Sequence, residues 1–600
     1  MRLPQKATRI GIGIGVLASV TFLSTVSRAA ETPDAETVGA AIEALQTRPV
    51  LAPMGTGSLA AITASKVGKE ADILTNGPEF PGPKRPNALP DPRTTPDLAP
   101  DPADTPVNGP GGKVFGFDAL NHADSRFANN GNQFSGEPPD QALCVGSGYI
   151  FEIVNQVLNV YDGTGAQLQT DATINEFFGL PPTIRRTNPP TFGPFAFDPV
   201  CLYDAQLERW FVVVTELDQD PFTGAFTGGS HLYIAVSHSA DPTRNFSYFG
   251  ITTTEGDSTD SGCLCFDDFP HIGADANGFF ISVNRFSVNG PEFNGAQIYA
   301  ISKQGLADAA SEAAPSPVVV SLNAGRVNGN PSFTVQPATV PPGGVFPRRE
   351  YFLSTLDFDT NSESDIAVWA LSNTKSLDRN NPKVSLTRSV IPSLTYAFEP
   401  DAEQREGPHP LGEAVGEPLN RLDSASDMTE VTFASRRLWA TTSTAVGSRG
   451  EDKRVGTLWF QVNPTFSDGQ VGGTVVKQGY VAVAKNNLLY PSVGVNASGE
   501  GAIVMSLAGP TVYPSTSFIS IDKKGVGNNV RVTKYGAAPD DGFTCYEAYV
   551  GSRDRGCRWG DYSEAVADEN GDIWMATEYI PDTERTELAN WGTFVMRLDR

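Results

Sequence analysis

A short motif recurs along this chain at intervals of 71 and 72 residues, and it constrains the fold more than any other feature of the sequence. Its clearest copies are Asp268-Phe-Pro-His-Ile-Gly-Ala-Asp275-Ala-Asn-Gly278, Tyr490-Pro-Ser-Val-Gly-Val-Asn496-Ala-Ser-Gly499 and Asp561-Tyr-Ser-Glu-Ala-Val-Ala-Asp568-Glu-Asn-Gly571. A more divergent copy starts at Asp198-Pro-Val-Cys-Leu-Tyr-Asp204. Each reads as a short strand, a tight turn at an Asx or Gly residue, and a longer β-branched or aromatic strand. The anchors Pro199, Pro270, Pro491 and Ser563 are separated by 71, 221 and 72 residues. The middle gap holds about three periods, so two masked copies are expected inside it, with strands from 349–357 and 366–372 and from 427–443 and 457–463. A copy at Pro139-Asp140 brings the expected total to seven.

Four strands fit each unit. In the third they are expected over 271–275, 279–284, 297–302 and 317–322; in the second, over 200–204, 210–216, 231–237 and 246–252. Repeated four-stranded antiparallel units with no intervening helix predict an all-β fold, a seven-bladed β-propeller. The last unit supplies three strands before Leu598, so Val114–Ala119 is expected to add the fourth and close the ring, leaving no unpaired edge. A β-sandwich would explain the strands but not the period.

Composition narrows the setting. Over 600 residues, glycine (59) and proline (46) suit many turns, and 40% hydrophobic residues can fill a large core. A net charge of −25 repels phosphate backbones and anionic lipid, which excludes nucleic acid as a partner. Residues 1–29 read as a signal peptide: Arg2, Lys6 and Arg9 precede an apolar run, with small residues before a cut after Ala29. The expected protein is therefore secreted or periplasmic, a monomer, with no membrane span once the leader is removed. Residues 30–112 read as a short amphipathic helix over 33–47 followed by a proline-rich linker, and residues 113–600 as the propeller domain. Six cysteines suit an oxidising compartment. Cys545 and Cys557 close a short loop, and Cys144 and Cys201 fall on equivalent strands of neighbouring units, so both pairs are disulfide candidates. The pairing of Cys263 and Cys265 stays open.

Between the third and fourth strands of the second unit stands Ser239-Ala-Asp241-Pro-Thr243-Arg-Asn245-Phe246. In that spacing the chain, over about residues 113–600, resembles the secreted bacterial propellers of the sialidase-like, Asp-box superfamily, departing from the motif at Thr243, Asn245 and Phe246. The resemblance implies a propeller fold rather than an activity, because an Asp-box is a structural turn. The arginine triad and Tyr–Glu pair of sialidases have no counterpart that can be placed here. Gly-x-Ser-x-Gly, His-Glu-x-x-His and phosphate-loop motifs are absent from the sequence.

The repeat itself proposes a site. Loops leading into the first strands carry Asp140, Asp198, Asp267, Asp268, His271, Arg558, Asp561 and Tyr562; loops joining second and third strands carry Asn155, Glu216, Asn284, Arg285, Glu578 and Tyr579. In a propeller both sets emerge on one face. The ligand-binding candidates are Asp268, His271, Arg558, Asp561 and Tyr562, a mix of acceptors, a donor fork and a ring face. Such carboxylates could hold Ca²⁺, act as an acid/base pair or bond sugar hydroxyls; no other cofactor is indicated. The leading expectation is a non-catalytic binder of an extracellular carbohydrate or protein. Its rival is a sialidase-like glycoside hydrolase, or a lyase, using paired carboxylates.

Overall fold

The computed structural model describes residues 46–63, 100–109, 114–254, 264–288, 293–356, 362–425, 427–447, 453–551, 556–583 and 585–600. The expected signal peptide, most of the expected 33–47 helix and Cys263 lie outside these residues. Among the described residues the chain is all-β. The helices among the described residues are short, the longest being Lys303–Ala310, and none of them is long and apolar enough to cross a membrane.

Successive strands pair antiparallel in sets of four. Ala142–Gly146, Tyr149–Val154, Val157–Asp162 and Ala172–Thr173 form one set. Phe195–Asp204, Arg209–Gln219, Phe226–Ser237 and Asn245–Thr252 form the next, followed by Cys265–Ala274, Gly278–Ser287, Phe293–Ser302 and Val319–Asn323. Gln336–Thr339 opens a set ending at Ser385–Ala397, Met428–Ala434 one ending at Gln470–Val481, and Asn487–Val495 one ending at Val530–Lys534. Glu564–Ala567, Ile573–Tyr579 and Gly592–Leu598 are completed by Val114–Asn121, with Leu598 opposite Val114.

The first strands of these sets touch in order. Phe195–Asp204 lies against Ala142–Gly146 and Cys265–Ala274, and the latter lies against Gln336–Thr339. Gln336–Thr339 pairs in parallel with Met428–Ala434, which leads to Asn487–Val495 and then to Glu564–Ala567. Glu564–Ala567 returns to Ala142–Gly146. Large side chains fill the space between neighbouring sheets. Phe211 stacks on Phe279 at 4.8 Å, and Phe151 packs against Trp210 at 6.1 Å. The Cys144–Cys201 disulfide joins two adjacent first strands, and Cys545–Cys557 closes a loop. Cys265 is also disulfide-bonded.

The repeated Asx residue explains four of the first hairpins. Asp204 Oδ1 accepts from Gln206 N at 3.0 Å and Leu207 N at 2.9 Å. Asp275 Oδ1 accepts from Asn277 N and Gly278 N, Asn496 Oδ1 from Ser498 N, and Asp568 Oδ1 from Asn570 N. Gly499 and Gly571 adopt φ of 85° and 86°, which a side chain would oppose. The 239–246 turn works similarly: Asp241 Oδ1 accepts from Thr243 N and Oγ1, while Phe246 is buried between sheets.

Two features differ from expectation. The second and third units begin at Phe195 and Cys265 rather than at Val200 and His271, because their first strands continue across a break in register. The stretch expected as an N-terminal extension also supplies edge strands. Ala52–Ser58 adds to Asn245–Thr252, Gln46–Thr47 to Val319–Asn323, and Val107–Asn108 to Val530–Lys534. Short strands of this kind cover edges that would otherwise template pairing with other chains. Leu59, 2% exposed, anchors the arm in the core between the first two sheets. Leu59→Ala is therefore expected to cost about 2–5 kcal/mol in urea unfolding. An unchanged midpoint would show that the arm is a passive tether.

Candidate functional site

The approach to several of the first strands is bent. Register breaks fall between Phe197 and Val200, Asp268 and His271, Met428 and Val431, and Leu489 and Ser492. Asp140, Asp198, Phe269 and Tyr490 take positive φ of 45° to 54° at this point. Proline follows three of them, at 199, 270 and 491. A bulge leaves a backbone position outside the ladder, and proline has no N–H to orphan there. The bend turns side chains of different sheets toward one another.

What converges is a buried carboxyl cluster around one arginine. Arg558 Nη2 donates to Asp561 Oδ2 at 2.7 Å and Nη1 to Asp423 Oδ2 at 3.2 Å. Asp140 Oδ1 accepts from Asp561 N at 2.6 Å, and its Oδ2 accepts from Asn155 Nδ2 at 2.8 Å. Asn155 Oδ1 in turn accepts from Asp198 N at 2.9 Å, so one amide bridges two sets. The Asp198 and Asp268 carboxyls are near enough for each to shift the other's protonation. Beside them the Tyr562 ring lies 4.9 Å from Phe269 and 5.6 Å from His271, and its hydroxyl donates to Pro270 O at 3.3 Å.

All five sequence-derived candidates thus lie in one neighbourhood. Asp561 and Arg558 form an ion pair, Tyr562 and His271 share a ring contact, and Asp268 feels the charges of Asp561 and Arg558. Asp140, Asp198 and Asn155, named from their loops, join them. Asp267 turns aside to accept from Tyr299 Oη at 2.7 Å. Asp423 was missed, because it stands ahead of a divergent fifth repeat. It is held by Trp559 N, which donates to its Oδ1 at 2.7 Å, and by its own N–H bond to Cys557 O.

Burial sets the protonation of the cluster. It raises Asp140 to about 7, with Asp561 adding to the rise, and raises Asp268 to about 7. Asp423 is raised only to about 6, since Arg558 opposes the effect of burial. Asp198 is pushed well above the carboxylate range by burial and by Asp268. Burial works against the Arg558 charge, but Asp561, Asp423 and Asp140 outweigh it. Burial lowers His271 to about 3, so its ring is neutral. Carboxylic acid and carboxylate therefore coexist around a fixed cation.

On one side of the cluster, a cavity of about 70 Å³ is lined by the first strands of all the sets, through residues such as Cys144, Val200, Gln336, Thr429, Val495 and Glu564. His271 and Tyr562 line it too. Beside it burial raises the proton affinity of Glu430 and Glu564, with the nearby Glu430 adding to the rise at Glu564, and Ser492 Oγ donates to Glu430 Oε2 at 2.7 Å. Connecting segments carrying Leu422, Phe543, Tyr546, Trp559 and Trp591 form a layer that shares one apolar cluster with strand residues such as Val157 and Leu489. The Cys545–Cys557 disulfide lies in this layer, next in sequence to Arg558.

No protein-family model matches the sequence, and no curated protein matches it. Among solved structures the chain is similar to an alpha-L-arabinofuranosidase from Lactobacillus brevis, at 10% identity over 66% of this chain and 95% of that one, with a TM-score of 0.27. It is similar to Cellvibrio cellulosa alpha-L-arabinanase complexed with arabinohexaose at 11% identity over 56% and 95%, TM-score 0.23. It is also similar to Trypanosoma rangeli sialidase in complex with sialic acid at 8% identity over 76% and 60%, TM-score 0.29. Overlaps this loose bear on neither activity nor ligand.

The buried acids carry a consequence for stability. A carboxyl whose folded pKa is raised binds its proton more tightly in the native state, so stability falls as pH climbs from its unfolded value toward its folded one. Asp140, Asp268, Glu152, Glu430 and Asp540 all reach about 7 through burial, against ordinary values near 4. His122 and His271, lowered to about 3, pull the other way below pH 6.5, but they are fewer. The melting temperature is expected to be higher at pH 5 than at pH 8. Scanning calorimetry that finds the reverse would show these carboxyls ionised in the native state.

Proposed function

We propose that this chain is a seven-bladed propeller, closed by Val114–Asn121, that hydrolyses a glycosidic bond with aspartates gathered where its first strands begin. The carrying observation is that these residues are tied across sheets, Asp140 to Asp561 N and, through Asn155, to Asp198 N, instead of each capping its own turn. Support for the ring comes from the cyclic contacts of the first strands and from their shared void. The Cys144–Cys201 and Cys545–Cys557 disulfides, and the absence of a membrane-spanning helix among the described residues, support an extracellular or periplasmic setting.

In this reading the Asp198–Asp268 pair keeps a proton at neutral pH and gives it to the leaving glycosidic oxygen as the C–O bond breaks. Asp561, oriented by Arg558, acts on the opposite side of the sugar, either on water or on the anomeric carbon. Tyr562 supplies a ring face. The second reading, a binding module, has one observation on its side: Asp268, Tyr562 and His271 are 8%, 5% and 3% exposed, which leaves little opening for a sugar ring.

A panel of chromogenic glycosides and polysaccharides separates the two. Turnover is expected, with Asp268→Asn and Asp561→Asn each lowering kcat/KM by about 10²–10⁴ while melting like the parent. Binding on a glycan array without turnover of any bound glycan would replace the hydrolase with the binder.

A further inference from the structure

Away from the carboxyl cluster, the second set of strands carries a group of side chains that the proposed hydrolysis does not use. Glu216 and His231 are direct cross-strand partners on Arg209–Gln219 and Phe226–Ser237. They therefore face the same side, and His231 Nδ1 lies 2.7 Å from Glu216 Oε2. Asp218, two residues beyond Glu216, belongs to that side by strand alternation. The register slips between Leu217 and Gln219, so Asp218 sits at a bulge. Bulges re-aim side chains. Across from it the chain has Gly229. A Cβ there would collide with the Asp218 carboxylate, so only a glycine lets this side chain fold over the partner strand.

The outcome is one atom each from Glu216, Asp218 and His231, all within 4.8 Å of one another. Glu216 is fully buried, yet its Oε1 has no hydrogen-bond partner among the described residues. An orphaned buried carboxylate oxygen costs free energy unless something binds it. Its other oxygen is occupied by His231 and, at 3.4 Å, by Tyr233 Oη. Tyr233 stacks on the His231 ring at 5.6 Å, which fixes the imidazole plane.

We propose that Glu216, Asp218 and His231 form a divalent metal site, independent of the glycosidase reading. One imidazole and two carboxylates make a mixed nitrogen and oxygen donor set. That set suits a first-row ion such as Zn²⁺ better than Ca²⁺ or Mg²⁺, which favour oxygen alone. Asp218 and His231 are only partly buried, which leaves solvent access to complete the coordination. Bound there, the ion pins the second and third strands of this set together at their loop end.

Equilibrium dialysis of the full chain against Zn²⁺, with metal read by mass spectrometry, tests the proposal. One tightly held equivalent is expected. Asp218→Asn and His231→Gln remove donors from partly exposed positions and should abolish that equivalent. Gly229→Ala removes no donor but displaces Asp218, and should weaken binding by roughly 10–100-fold, as loss of a positioning partner does. Circular dichroism of each variant confirms that the fold is retained. Failure of the parent to retain Zn²⁺, or equal retention by parent, Asp218→Asn and His231→Gln, would overturn the proposal.

Discussion

The left-handed kink at the start of the first strands is the constraint from which the rest of this structure follows. Asp140, Asp198, Phe269 and Tyr490 each hold a positive φ that non-glycine residues rarely adopt. Such a conformation costs on the order of 1–3 kcal/mol per residue and persists only where its surroundings enforce it. Here the enforcement is mutual. Asn155 ties Asp140 to the backbone of Asp198, and Asp561 N is tied to Asp140. Without the kink the strands would run straight into their loops, and the carboxyls would point into separate inter-sheet layers.

That geometry sets the electrostatics. Five aspartates and one arginine, Arg558, share a space that excludes most water. The cluster cannot ionise fully, so protons replace missing cations. Asp423 shows the rule by exception: it touches Arg558 and rises least. The layer of connecting segments over the cluster adds to the effect. Its Trp559 backbone holds Asp423, and its disulfide adjoins Arg558.

Much of this was legible in the sequence, because the repeat is enforced by local chemistry. An Asx residue three positions before a glycine favours a tight turn, so Asp275–Gly278, Asn496–Gly499 and Asp568–Gly571 announce their hairpins. Asp268, Asp561 and His271 could be named as neighbours because the period maps them to equivalent places. The fourth and fifth sets lack this signal. Gln336–Thr339 is a short strand ahead of a long connection, and Asp423 belongs to no recognisable copy. The edge strands near the N-terminus were illegible for another reason. Ala52–Ser58 reads Ala-Pro-Met-Gly-Thr-Gly-Ser, which has no strand propensity of its own and is held in place by the sheet it joins. Gly229 likewise carries meaning only once Asp218 is seen across from it.

Val114–Asn121 finds its partner, Gly592–Leu598, only after more than four hundred intervening residues have been made. At ribosomal speeds of roughly 5–20 residues per second, that wait lasts on the order of tens of seconds. Throughout it, Phe115, Phe117 and Leu120 belong to a strand with nothing to pair with, and each set made in the meantime can mature before the last one exists. Assembly of this chain is thus gated by elongation at its far end. Anything that stalls the ribosome late leaves a nearly finished protein with one sticky, solitary strand for chaperones to shield.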